Sequence, residues 1–111
     1  MENTMPDPSP VFDPHTVEAQ VLVHDVLGLH ARPAGRITTA ARNFSCSISL
    51  VLEEYEADAK SILDILTLAV PSGTLLTVRC QGEDAAEACA ALFHLFATGS
   101  SESAEAGDDR G

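Results

Sequence analysis

Positive charge is scarce in this chain: 6 basic side chains stand against 17 acidic ones, a formal net charge of −11 over 111 residues. General nucleic-acid binding draws its affinity from basic surfaces and is disfavoured, although a local basic site is not excluded. Aromatic residues make up only 5% of the chain, which leaves no stacking platforms for a single-strand binder. The three cysteines are an odd number and form no C-x-x-C pair. That argues against a disulfide framework and a zinc site, and it fits a reducing compartment. No apolar run reaches the roughly 18 residues of a membrane-spanning helix, so no membrane insertion is expected. The opening MENTMPDPSP has neither a basic n-region nor an apolar h-region, so no secretory signal is expected. The expected location is the cytoplasm.

What is present suffices for one small domain: 45% of the residues are hydrophobic, enough to bury a core. The tails (residues 1–19 and 100–111) carry −7 of the −11. Residues 5–14 hold four of the six prolines, and residues 99–111 are mostly Gly, Ser, Ala, Glu and Asp. Both ends lack hydrophobic periodicity, which predicts a disordered proline-rich extension over 1–16 and a disordered acidic tail over 99–111. The folded domain is then expected over 17–98.

Val21 and Val23 alternate with Gln20, Leu22 and His24, predicting a first strand over 18–24. Ala34, Ile37 and Ala41 recur at helical spacing, predicting a helix over 31–42 with Pro33 in its first turn. Ile48, Leu50 and Leu52 mark a second strand. Glu53-Glu54 is a poor turn, yet a short strand over 55–59 should return from it. For the apolar run 62–68, Ser61-x-x-Asp64 resembles a capping box and favours helix. Leu76, Val78 and Cys80 mark a last strand. Asp84-x-x-Glu87 is read as the cap of a final helix with Ala85, Ala88, Cys89, Leu92 and Phe96 buried and Gly99 as its end. The order βαββαβα, with one clear hairpin, predicts an α+β two-layer sandwich.

The candidate site is Gly28-Leu29-His30-Ala31-Arg32-Pro33-Ala34. A histidine stands where a loop ends and a helix begins. The first N–H groups of a helix lack internal partners and, with the helix dipole, form an anion site. Arg32 adds a fixed positive charge able to make two hydrogen bonds to phosphate oxygens, and Arg36 follows one turn later. A cation at a helix N-terminus is locally unfavourable, a conflict that makes sense if an anion binds there. Imidazole is a nucleophile near neutral pH, so a phosphoryl group on His30 would meet these donors. The simpler reading is a helix-capping or surface histidine.

GLHARPA (28–34) is similar to the active-site signature of HPr, the histidine-containing phosphocarrier family of the bacterial phosphoenolpyruvate:sugar phosphotransferase system. Ala59-Lys60-Ser61-Ile62-Leu63 resembles that family's regulatory serine segment, and Gly82-Glu83-Asp84-Ala85 resembles the approach to its last helix. The resemblance covers about residues 18–98. It implies an open-faced β-sandwich, four antiparallel strands covered by three helices. It further implies that Enzyme I, using phosphoenolpyruvate, phosphorylates His30 at Nδ1, and that the group passes to a IIA domain of a sugar permease or to a regulatory IIA protein. Arg32 would neutralise the phosphate, Gly28 and Leu29 would shape the loop with Ala31 behind them, and Pro33 would set the helix start. Such a chain is a carrier, expected to be monomeric and without cofactor or metal, and not a stand-alone enzyme.

The resemblance also implies that Ser61 is a substrate of HPr kinase/phosphorylase, beside its simpler role as helix cap. It makes Leu63 and Leu66 contact residues, although helical spacing alone is equally consistent with Ile62, Leu63 and Leu66 all being core. Arg36 and Arg42 are further candidates for contact with acidic partners. His15, His24 and His94 lack a phosphate-binding setting, and the cysteines read as buried or half-buried thiols. The chain departs from the family at Glu53-Glu54 and Ala69, where relatives often have glycine, and at Asp64. With the unusual tails, these departures support an alternative: a regulatory binding module controlled by Ser or His phosphorylation in an incomplete phosphotransferase system.

Overall fold

The computed structural model describes residues 15–106. Of the extension expected over 1–16, residues 1–14 lie outside the described residues, as does the tail beyond 106, while Thr16 already belongs to the first strand. Seven elements follow in order: β1 (Thr16–Leu22), α1 (Ala31–Ala41), β2 (Ser47–Leu52), β3 (Tyr55–Asp58), α2 (Ile62–Leu68), β4 (Leu75–Gln81) and α3 (Ala85–Ala106). The strands form one antiparallel sheet in the order β1-β4-β2-β3, an open-faced α+β sandwich. None of the described helices is long and apolar enough to cross a membrane.

Strand alternation sorts the two faces. Val21, Ile48, Leu50, Leu76, Val78 and Cys80 point to the helices and are almost wholly buried. The facing helix side chains are Ala34, Ile37, Ala41, Ile65, Ala88, Leu92 and Phe96. Each large aliphatic side chain so removed from water contributes about 1.5–3 kcal/mol before entropy is counted. Small residues on α1 and α3 let the helices lie close to the sheet. The open face is mostly polar, with the exposed Leu22–Leu75 pair at the end of β1 and β4, and Arg79 on β4 lies on it. Its guanidinium donates to Glu18 at 2.7 Å and to Glu56 at 3.1 Å, on strands to either side. Both pairs are half exposed, so each is worth about 0–1 kcal/mol and orients the side chains more than it stabilises the sheet.

All three cysteines are buried and free. Burial pushes the Cys46 thiol up to about 11 and the Cys80 thiol up to about 12, with Cys89 raised for the same reason. They are structural thiols.

Several boundaries differ from expectation. β1 begins and ends two residues earlier, because Thr16 pairs with Gln81, while Val23 turns to the Gly73–Thr74 corner: its N–H donates to Thr74 O at 2.9 Å. The helix expected to stop at Gly99 runs to Ala106. Interior glycine costs a helix only about 1 kcal/mol, and the Ala and Glu residues that follow favour continuation. Residues 99–106, placed by the sequence in the acidic tail, are assigned to α3. Asp84 has a further role beyond leading into α3: its carboxylate accepts Ser45 N–H at 2.8 Å and Cys46 N–H at 2.9 Å, tying the loop before β2 to the start of α3. Gly82 makes this possible, since a Cβ there would lie 2.8 Å from Cys46 Cβ. The Ser61 cap is as expected, with Oγ accepting Asp64 N–H at 3.2 Å. The reciprocal half of the box is absent, because the Asp64 carboxylate accepts from Asp58 N–H instead.

Among the described residues, the non-glycine positions with positive φ are Glu53 (58°) and Ala69 (54°). They stand where the sequence lacks an expected glycine. Ala69 is the left-handed C-cap of α2, a conformation that costs a residue with a Cβ about 1–2 kcal/mol. Replacing Ala69 with Gly relieves the strain but adds unfolded-state entropy, so Ala69→Gly is expected to raise stability by roughly 0.5–1 kcal/mol in urea unfolding.

The hydrogen bonds from Ser45 and Cys46 hold the Asp84 carboxyl below its ordinary value of 3.8. Its contribution is complete above that value and disappears as the pH falls through the depressed folded one. Unfolding curves from pH 7 to pH 2 should show Asp84→Ala less stable than wild type at neutral pH. The gap should close in acid.

Candidate functional site

The loop before α1 is built by Asp25. Its carbonyl accepts Gly28 N–H at 2.9 Å, and its Oδ1 accepts Leu27 N–H at 3.1 Å. This is an Asx turn inside a β-turn, and it turns Val26 and Leu27 outward, 84% and 72% exposed. Gly28 follows with φ +74°, and a Cβ on it would collide with the carbonyl oxygen of Val70. That oxygen accepts Leu29 N–H at 2.9 Å, so the loop is fastened to the segment after α2. The buried Leu29 side chain anchors it in the core.

The chain so fastened delivers His30 to the N-cap of α1, with φ −87° and ψ −170°. Its carbonyl accepts Ala34 N–H at 3.0 Å, the first bond of the helix. Its side chain makes no cap hydrogen bond, which removes the reading of His30 as a capping side chain. The ring is one-third exposed, and its Nε2 lies 3.2 Å from Asp25 Oδ1. An ionised carboxylate only accepts, so this contact selects the tautomer with the hydrogen on Nε2, in which Nδ1 keeps its lone pair.

The N–H groups of Ala31 and Arg32 have no intrahelical acceptor, Pro33 has none to offer, and the first turn contains no acidic residue. Arg32 is exposed and, among the described residues, makes no hydrogen bond or ion pair. A nucleophilic nitrogen, open backbone donors and an uncommitted guanidinium thus meet at one positive helix end.

Residues 17–98 match the family described as the PTS HPr component phosphorylation site. The chain belongs to the HPr family. It is 41% identical over 77 residues to a phosphocarrier protein HPr of Lysinibacillus sphaericus, covering 69% of this chain and 88% of that one. The crystal structure of HPr from Bacillus anthracis superposes with a TM-score of 0.69 at 34% identity, covering 73% of this chain and 96% of that one. The histidine-containing phosphocarrier protein of a Mycoplasma gives a TM-score of 0.70 at 31% identity, covering 74% and 94%.

Within this HPr fold the remaining candidates separate. Arg36, one turn beyond Arg32, lines a crevice of about 40 Å³ with Asp25, Leu29, Pro33 and Phe96. Arg42 lies at the other end of α1, some 15 Å along an 11-residue helix. Its guanidinium is committed to the Lys60 carbonyl at 3.2 and 3.1 Å, clasping the approach to α2, so it does not join the site of His30. On α2 only Ile65 is buried, while Leu63 is 74% exposed and Ile62 and Leu66 are partly so. The core reading of those three is thereby overturned. His24 and His94 are exposed, and neither stands at a helix N-terminus, although His24 lines the same crevice as Arg36.

Sequence reasoning missed Asp25, Val26 and Leu27. The signal was available: an Asp three residues before a Gly marks an Asx-type turn. Nothing in the sequence, however, tells which way the carboxylate points.

The close approach at Gly28 is directly testable. Gly28→Ala adds a clash and a positive φ, and should cost more than about 1 kcal/mol in chemical denaturation. It should also move the His30 NMR signals, whereas Gly35→Ala, which meets open space, should leave them in place.

Proposed function

We propose that the chain is a monomeric cytoplasmic phosphoryl carrier: His30 accepts a phosphoryl group from phospho-Enzyme I at Nδ1 and passes it to a IIA domain. The observation that carries this reading is the combination at the start of α1. His30 keeps its Nδ1 lone pair while Nε2 is engaged, and it stands beside open helix N–H groups and an uncommitted Arg32. Transfer needs little covalent chemistry from the protein. The incoming phosphorus must be held in line, and its oxygens must meet positive charge. Arg32 and the Ala31 and Arg32 N–H groups provide that charge, and the charge persists after the group leaves. Val26, Leu27, Leu63 and Leu66 form exposed apolar ground around the basic site, suited to partners that combine acidic and apolar surface.

Regulation through Ser61 is the second reading, and the geometry gives it less support. The Ser61 hydroxyl is committed as a cap, and its neighbours Asp58 and Asp64 bring carboxylates to the same turn. A phosphate there meets the helix end but also two like charges. Ser61→Ala is expected to cost about 1 kcal/mol of stability from the lost cap alone.

The carrier reading is tested with Enzyme I and phosphoenolpyruvate, by following acid-labile phosphate on the protein. The wild type should be labelled and His30→Ala should not. Arg32→Ala should be labelled roughly 10–100 times more slowly, the rate equivalent of one charge-assisted hydrogen bond. Label that survives His30→Ala overturns the reading.

A further inference from the structure

We propose, resting on the carrier reading of His30, that Asp25 is the positioning residue of the transfer site. It holds the imidazole by Nε2–H and stabilises the positive charge the ring acquires when Nδ1 is phosphorylated. The juxtaposition is specific. Asp25 Oδ1 lies 3.2 Å from His30 Nε2, and the two side chains are only 26% and 34% exposed. The same Oδ1 is held by Leu27 N–H, so the carboxylate is oriented before the imidazole meets it. The Asp25 carbonyl is in turn fixed by Gly28 N–H. A carboxylate held by Leu27 N–H, on a residue whose own carbonyl is held by Gly28 N–H, is a rigid partner, and little entropy is lost when the ring docks on it.

The chemistry follows from the ring's two nitrogens. The Nδ1 lone pair attacks phosphorus, the N–P bond forms, and the bond from phosphorus to the donor's leaving atom breaks. That atom keeps the electron pair. No proton moves: the ring keeps its Nε2–H and becomes a cation. Asp25 faces that Nε2–H, on the opposite side of the ring from the new phosphoryl group. It therefore pairs with the ring's charge while the phosphate oxygens meet Arg32 and the helix N–H groups. When the phosphoryl group leaves for an acceptor, the electron pair returns to Nδ1 and the ring is neutral again. The arrangement separates two tasks, one on each edge of the imidazole. A buried carboxylate orienting a catalytic imidazole through its second nitrogen serves the same end in hydrolytic triads.

The test compares wild type with Asp25→Ala and Asp25→Asn. Asparagine keeps an oxygen acceptor for both Leu27 N–H and Nε2–H, whereas alanine keeps neither. Nitrogen-edited NMR of the unphosphorylated protein should show a solvent-protected His30 Nε2–H proton in wild type and in Asp25→Asn, and none in Asp25→Ala. Labelling from phosphoenolpyruvate and Enzyme I should slow about tenfold in Asp25→Ala and by a smaller factor in Asp25→Asn, which restores the hydrogen bond that positions the ring but not the negative charge that faces it. Circular dichroism checks that both variants fold. Wild-type labelling with Asp25→Ala equally fast, or with its Nε2–H proton retained, overturns the assignment of Asp25 and leaves the carrier reading intact. Asp25→Asn as impaired as Asp25→Ala in both readouts also overturns it. Absence of label on wild-type His30 removes the carrier reading, and the assignment with it.

Discussion

The site depends on one close approach between two stretches of backbone. Gly28 lies against the carbonyl of Val70 with no room for a Cβ, and the same carbonyl receives Leu29 N–H. This contact joins the loop after β1 to the segment after α2, two regions some forty residues apart in the chain. Once it forms, Leu29 is committed to the core, and His30 has no choice but to begin α1. The open N–H groups of that helix and the exposed side chains of α2 then belong to one surface. Such an arrangement needs rigid support behind it, because a site displaced by a fraction of an ångström loses its alignment with the incoming group. The support is the sheet: β1 leads into the loop, β4 leaves from the other side, and the two strands are paired along their full length.

The distribution of positive charge follows a similar division of labour. Of the five basic residues between 20 and 99, two are spent on structure alone: Arg42 clasps the Lys60 carbonyl, and Arg79 bridges Glu18 and Glu56 on the open face. Lys60 is also committed, donating to the Phe44 carbonyl at 2.7 Å. What remains uncommitted for an anion, among the described residues of that set, is Arg32. Three of the five, Arg32, Arg36 and Arg42, stand within eleven residues of sequence, and the fold turns the last of them away from His30. In an acidic molecule this makes one basic spot stand out against a negative background, a contrast that steers an anionic group to it.

Backbone strain sits at two residues outside the group gathered around His30. Glu53 and Ala69 adopt left-handed backbone where glycine would be free of strain. Neither touches His30, and each ends a regular element: the β2 strand and the α2 helix. Ala69 sits immediately before Val70, so α2 must terminate there for Val70 to reach Leu29. The strained cap is therefore retained by the same contact that builds the site. Tertiary packing outweighs the local preference, since the cost at one residue is small beside the burial of Ile65, Val70 and Leu29.

Periodicity and turn chemistry were enough to read the element order, the helix-facing residues and the histidine at the head of α1 from the chain alone. These features are local: a side chain's neighbours at two or at three-to-four residues already express them. The strain at Glu53 was legible locally, as a turn without glycine, and that at Ala69 only through the resemblance to relatives that often have glycine there. The continuation of α3 past Gly99 was not, because a single glycine weakens a helix without ending it. The partnerships that complete the site required the fold. Asp25 turned to His30, Asp84 to the Ser45–Cys46 loop and Arg42 to Lys60, and each could have faced water instead. A pattern of residue types states what a polar group can bond. Only the packed chain, by closing some directions to solvent and filling others with a partner, selects which bond it makes.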